Sequence, residues 1–105
     1  MSKINTLKEY LLVTPNDNFL QHALALEYVK IGDDEAAKAT FENLLANDAN
    51  YVGSYYQLGK LYERLGHTTK AINQYKQGIQ IAILAKDKHS HNELQAALEE
   101  IEGDE

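Results

Sequence analysis

One short segment of the chain carries side chains that are typical metal ligands. His89 and His91 lie two residues apart, and Glu93 follows at the same interval. Imidazole and carboxylate groups bind zinc, but the sequence defines no fourth ligand and contains no cysteine. The spacing from Ser90 to Glu93 is that of a capping box, which closes the first turn of a helix. We therefore interpret the segment as a helix start and predict no metal site.

The acidic cluster Asp33-Asp34-Glu35 could hold a hard cation, but the twelve-residue ligand spacing of a calcium loop is missing. Carboxylates at a helix start also cap the free amide groups there, and we favour that role. The sequence has no glycine-rich phosphate loop and no serine or histidine in a recognisable nucleophile setting. We predict no catalytic residue, no enzyme activity and no cofactor.

Helices are the elements that would position any functional site in this chain. Apolar residues recur at helical spacing and predict six helices, at about 3–12, 18–31, 34–47, 51–65, 69–86 and 90–102. Gly32 and Gly66 fit the left-handed residue that ends a helix, and Asn50, Thr68 and Ser90 fit helix caps. A chain of 105 residues with one proline and 44% hydrophobic residues fits one all-α domain.

Two stretches of the chain repeat one sparse pattern at an interval of 34 residues. Five positions agree between the copies: Leu24 with Leu58, Tyr28 with Tyr62, Gly32 with Gly66, Ala37 with Ala71, and the aromatic Phe41 with Tyr75. Small residues such as Ala25 and Gly59 would let two antiparallel helices approach to roughly 8–10 Å. Because the agreement is confined to residues that would pack two helices together, it indicates a structural repeat.

The ordered set resembles the tetratricopeptide repeat family, whose pattern is an aromatic, Leu-Gly, Tyr, Ala, a second aromatic, a small residue and Pro. The second copy shows Tyr55, Leu58-Gly59, Tyr62, Ala71, Tyr75 and Gly78, with Ile83 in place of the proline. The first copy departs from the pattern at Gln21, Leu44 and Ala49.

The resemblance implies antiparallel helical hairpins that stack into a right-handed α-solenoid. In that arrangement the chain, 1–105, is a single domain in which repeat 1 covers 18–51 and repeat 2 covers 52–85. Residues 3–15 would be a partial repeat helix and 90–102 a C-terminal capping helix.

In that family the first helix of each repeat lines a concave groove that binds a peptide or a helix of a partner protein. The groove-facing positions implied here are Phe19, His22, Leu26, Val29 and Lys30 in the first copy, and Gly53, Tyr56, Lys60, Glu63 and Arg64 in the second. Those expected to contact a partner are Phe19, His22, Leu26, Lys30, Tyr56, Lys60 and Arg64. Tyr56, Lys60 and Arg64 follow one another by one helical turn and form one stripe. A tyrosine beside two cations suits an acidic peptide or a chain-terminal carboxylate. A solvated face without function is the open alternative.

The charge of the chain is unevenly distributed. Its net charge of −6 argues against a nucleic-acid partner, because phosphate binding needs a basic field. Residues 18–51 carry two lysines against six acids, a net of −4, whereas 52–85 carry four bases against one acid, a net of +3. The acidic copy of one molecule could meet the basic copy of another. The second functional hypothesis is therefore a structural, self-associating protein, for example a homodimer.

Two further features concern location. The longest apolar run, 81–85, is too short to span a membrane, so no membrane partner is predicted. The first residues lack the apolar stretch of a signal peptide. We expect a cytoplasmic protein that acts as an interaction module or adaptor.

Overall fold

The structure is a computed structural model that describes residues 2–103. These residues form six α-helices and no strand: α1 Lys3–Val13, α2 Asn18–Lys30, α3 Asp34–Asn47, α4 Gly53–Arg64, α5 Thr68–Ala85 and α6 Lys88–Gly103. The predicted all-α class is confirmed. Contacts divide the chain into two compact units, Met1–Ala49 with α1 to α3 and Asn50–Glu105 with α4 to α6. Among the described helices, none has the length and apolar character needed to cross a membrane.

In the first unit, α2 and α3 pack together as a hairpin. The side chains at their interface are fully or almost fully buried: Leu24 and Ala25 from α2, and Ala37, Phe41 and Leu44 from α3. The alanines leave room for the two backbones to approach, and the phenylalanine and leucines fill the remaining space. Of the repeat residues predicted from the sequence to pack, Leu24, Ala25, Ala37 and Phe41 are therefore buried, whereas Tyr28 is only partly buried.

Helix α1 is held against α2 in a different way. None of its residues is buried. Lys3 forms an ion pair of 3.4 Å with Glu27, and the Lys8 ammonium lies 5.8 Å from the centre of the Tyr28 ring. Glu27 occupies the repeat position of Leu61, which is only 1% exposed in the second unit. Ile4, Leu7 and Leu11 of α1 are only partly buried, so its attachment combines incomplete apolar burial with partly solvated charges.

In the second unit, α4 packs against α5 at a point where only glycine fits. A Cβ atom on Gly59 would lie 2.8 Å from Cδ1 and Cζ of Tyr75, and closer still to Cε1. Gly78 makes a second close approach, since its Cβ would lie 2.7 Å from that of Tyr55. Helix α6 then covers α5 with a stripe of buried apolar residues, Leu94, Ala97, Leu98 and Ile101.

Three helices end in the same backbone motif. Gly32 and Gly66 have φ angles of 81° and 82°, so the left-handed helix ends predicted from the sequence are confirmed. Lys86 takes the same conformation at the end of α5, with φ 57°. There the Asp87 amide donates to the carbonyl of Ala82 over 2.9 Å, the six-residue bond of a Schellman motif. A lysine therefore occupies a conformation that favours glycine.

Two predicted helix caps are wrong. Helix α4 does not begin at Asn50 but at Gly53, after a backbone turn, and Val52 at its cap position makes no side-chain hydrogen bond. Thr68 is the first helical residue of α5, and His67 precedes it without capping it through its side chain. In both cases a capping residue type lies close to the helix start, and the turn geometry selects another position.

The predicted cap of α6 is also wrong. The helix begins at Lys88, two residues before Ser90. The Asp87 carboxylate accepts hydrogen bonds from the Ser90 amide, over 3.0 Å, and from the Ser90 hydroxyl, over 2.8 Å. These bonds, the backbone bond first, hold the pKa of Asp87 below its usual value. Asp87 is thus the residue that closes the first turn, and Ser90 is a donor to it.

Candidate functional site on helix α4

Helix α4 has one buried and one accessible face. Its buried side chains are Ser54, Tyr55, Leu58, Leu61 and Tyr62. Tyr56, Lys60 and Glu63 are partly exposed, and Arg64 is exposed in the last turn. The accessible face therefore carries the stripe predicted from the sequence together with one carboxylate.

Lys60 lies between an aromatic ring and an acid. Its ammonium nitrogen is 5.5 Å from the centre of the Tyr56 ring and 3.7 Å from a carboxylate oxygen of Glu63. The side chain is 34% exposed, so the ammonium remains accessible to another molecule. A ring face and a carboxylate both favour a cation at these distances. These two neighbours hold Lys60 in one place on the helix surface.

Glu63 is fixed in turn by Tyr75 of α5. The Tyr75 hydroxyl donates a hydrogen bond to the Glu63 carboxylate, and its side chain is fully buried. Burial raises the pKa of Tyr75 well above its usual value, and the bond to Glu63 raises it further. Tyr75 therefore keeps its proton and remains a donor. The result is a chain of contacts from the core tyrosine through Glu63 and Lys60 to Tyr56.

Sequence reasoning found only part of this cluster. It grouped Tyr56 with Lys60, and the structure brings these two together. It assigned Tyr75 to helix packing alone, and it placed Glu63 on the groove-facing side without assigning it a contact. The three-residue spacing between Lys60 and Glu63 is a sequence signal for an ion pair on a helix. No such signal links Glu63 with Tyr75, because that bond depends on how α4 lies against α5.

The first-copy candidates have different environments. Phe19 is 71% exposed, and Leu26 is partly buried. His22 lies edge-on to the Phe41 ring, with 5.5 Å between ring centres, and burial lowers its pKa. Lys30 is exposed and pairs with Glu27 over 3.8 Å. This surface therefore exposes an apolar ring at Phe19, while its cation, Lys30, is paired with the carboxylate of Glu27.

The acidic cluster considered as a cation site has another role in the structure. Asp33 accepts a hydrogen bond of 3.1 Å from the Ala36 amide and caps α3, which confirms the capping interpretation of this segment. Across residues 2–103, no three or more histidine or acidic side chains are grouped so that they could hold a metal ion.

The family follows from a comparison with known sequences. A family model for the tetratricopeptide repeat matches residues 20–51 and again residues 52–82. The chain belongs to the tetratricopeptide repeat family. Both copies of the 34-residue pattern are covered, so the repeats identified from packing residues are tetratricopeptide repeats. No curated protein matches the chain significantly.

Solved structures of similar proteins extend over most of the chain. A tetratricopeptide repeat domain protein from Salinibacter ruber is 46% identical; its crystal structure superposes with a TM-score of 0.82 over 85% of this chain and 99% of that one. Its solution structure gives 0.83 over 87% and 92%. A protein from Bordetella parapertussis shares the fold, with a TM-score of 0.85 at 21% identity over 99% and 90% of the two chains.

Helix α5 departs from the tetratricopeptide repeat pattern at its end. Ile83 replaces the proline that would stop the helix, and α5 continues to Ala85. It therefore has 18 residues, compared with 14 in α3. The added turn is apolar and accessible, since Ile83 and Leu84 are 52% and 79% exposed.

Proposed function

We propose that the chain is a non-catalytic interaction module that binds a segment of a partner protein on the accessible face of α4. The single observation that carries this proposal is the contact chain in which Tyr56 and Glu63 hold the Lys60 ammonium at the surface. An immobilised cation loses less conformational freedom on binding than a mobile one, and so gains more from each contact. Membership of the tetratricopeptide repeat family supports the general role in protein binding.

The charges of this face favour an acidic segment. Lys60 and Arg64 supply two cations, and Glu63 supplies one carboxylate. A carboxylate of the partner would pair with Lys60 and Arg64, while an apolar or aromatic side chain would cover Tyr56. Glu63 repels a second acid placed directly beside it, so it would also set the register of the bound segment. Phe19, His22, Leu26 and Lys30 are proposed as further partner contacts of the first copy.

A charge-reversal experiment tests the α4 surface. A displayed peptide library is selected against the native chain, and its binders are measured by titration against the Lys60→Glu, Arg64→Glu double variant. We expect the native chain to enrich acidic peptides and the variant to bind them at least about tenfold more weakly, as expected for charged hydrogen bonds.

The matched control makes the same charge change on α5. Lys70 lies over the Tyr62 ring, and Lys76 pairs with Glu102 over 4.0 Å, so both lysines are engaged at the surface as Lys60 is. The double variant Lys70→Glu, Lys76→Glu should bind the selected peptides within about twofold of the native chain. Equal weakening in both variants would mean that net charge, and not the α4 face, governs binding. Unchanged binding in the α4 variant would contradict the proposed site.

A further inference from the structure

Helix α1 exposes an apolar patch at its C-terminal end. Tyr10, Leu12 and Val13 are 56%, 84% and 82% exposed. An isolated exposed leucine is common, but three large apolar side chains within four residues form a patch that favours association. None of the three is buried, and Leu12 and Val13 are the most exposed of them.

The charge beside this α1 patch is negative. Glu9 lies one turn before Leu12 and Val13, and within residues 2–103 it forms no ion pair. The two lysines of α1 are directed toward α2, Lys3 to Glu27 over 3.4 Å and Lys8 to the Tyr28 ring. The α1 patch is therefore an apolar projection with an uncompensated carboxylate next to it.

The second unit contains a cleft of the opposite charge. It is a shallow, solvent-open depression of about 380 Å³ at the junction of α5 and α6, and its lining residues are Ala82, Ile83, Lys86, Asp87, Lys88 and His91. Ile83, from the added turn of α5, and Ala82 provide an apolar lining. Asp87 is engaged by Ser90, whereas Lys86 and Lys88 form no ion pair with any described residue. The cleft is therefore apolar inside with a cationic rim.

We propose that the α1 patch of one molecule docks into the α5–α6 cleft of a second copy. Leu12 and Val13 would enter the apolar cleft, and Glu9 would face Lys86 and Lys88. The complementary charges favour a second copy of this chain, because both halves of such an interface are present on one sequence. The contact joins two different surfaces, so it is heterologous, and every molecule retains one unused surface of each kind.

Analytical ultracentrifugation of the full chain tests this proposal. Three double variants are compared with the native chain from micromolar to millimolar concentration, at low and moderate salt. Leu12→Lys with Val13→Lys blocks the α1 patch. Ile83→Lys with Leu84→Lys blocks the cleft through its lining residue Ile83 and the exposed residue next to it. Lysines near the C-terminus of a helix suit the helix dipole, and all four residues are exposed, so folding should be retained. Far-ultraviolet circular dichroism checks this.

The control variant changes two exposed positions of the first unit outside the patch, Ile31→Lys and Ala39→Lys. We expect the native and control chains to associate, more strongly at low salt, and each blocked variant to associate at least about tenfold more weakly. An equimolar mixture of the two blocked variants should form a dimer and nothing larger, because only one complementary pair of surfaces remains.

Three results would overturn the proposal. The native chain could remain monomeric at every concentration and salt level. Either blocked variant could associate as strongly as the control, which would place the interface elsewhere. The mixture of blocked variants could remain monomeric, which would show that the two surfaces do not bind each other.

Discussion

The close approach of α4 and α5 at Gly59 gives the sharpest prediction, because one added methyl group should change the free energy of unfolding measurably. In Gly59→Ala, the new Cβ would lie 2.8 Å or less from three atoms of the Tyr75 ring. Carbon atoms in contact prefer about 3.5–4.0 Å. Tyr75 is fully buried and its hydroxyl is bonded to Glu63, so the ring has no free space to enter. The two helices must separate, or the ring must leave its position.

The magnitude follows from two opposing effects. Overpacking a well-filled core costs about 1–3 kcal/mol, and the severity of this overlap places Gly59→Ala at about 3 kcal/mol. Alanine is a better helix former than glycine by about 1 kcal/mol. The net loss in the free energy of unfolding should therefore be about 2 kcal/mol. For a domain of this size, that corresponds to a fall of roughly 8–10 °C in the melting temperature.

Urea denaturation followed by circular dichroism measures this loss, and the same helix provides a control. A Cβ on Gly53, the first residue of α4, meets no atom within 4 Å. Gly53→Ala should leave stability unchanged or raise it, by at most about 1 kcal/mol. In a Tyr75→Leu background, Gly59→Ala should lose most of its effect, since the ring it meets is gone. The reasoning is refuted if Gly59→Ala is as stable as the native chain.

Three further predictions concern helix ends and a half-buried histidine. Lys86→Gly should raise the free energy of unfolding by about 0.5–1 kcal/mol in a urea titration, because φ is 57° at this position. Asp87→Ala should lower the melting temperature more than Ser90→Ala, since Asp87 accepts both bonds; the reverse order would restore Ser90 as the cap. Burial lowers the pKa of His22 below its usual value of 6.5, so its contribution to stability is present above pH 6.5 and is lost as the pH falls below it. Urea midpoints at about pH 7.5 and pH 5 should differ more in the native chain than in His22→Gln, and equal differences would contradict this.

The hairpins were predictable because their determinants are local. Gly32 and Gly66 mark helix ends through backbone conformation alone, and the pairs Ala37 with Phe41 and Ala71 with Tyr75 mark packed faces through spacing. Helix starts were less predictable. At the start of α6, both Asp87 and Ser90 are capping residue types. Which of them caps the helix depends on where the chain leaves α5.

The candidate site was predictable only where it lies along one helix. Tyr56 and Lys60 differ by one turn, so their contact follows from spacing. The hydrogen bond from Tyr75 to Glu63 joins two helices and depends on how closely α4 approaches α5. Gly59 permits this close approach. Similarly, the α5–α6 cleft arises because Lys86 ends α5 in a left-handed turn, and a lysine gives no sequence signal for that conformation.

Glu27 stands where the second repeat has the buried Leu61, and this difference affects how the chain opens. With no fully buried side chain, and with Ile4, Leu7 and Leu11 only partly covered, α1 can detach while α2 and α3 keep their shared core. Its amide hydrogens should therefore exchange with solvent through a local opening whose free energy is well below that of global unfolding. Salt weakens such an attachment by screening its charges, whereas it leaves the hairpin core almost untouched. Within the first unit, α1 should therefore be protected against hydrogen exchange less than α2 and α3 are.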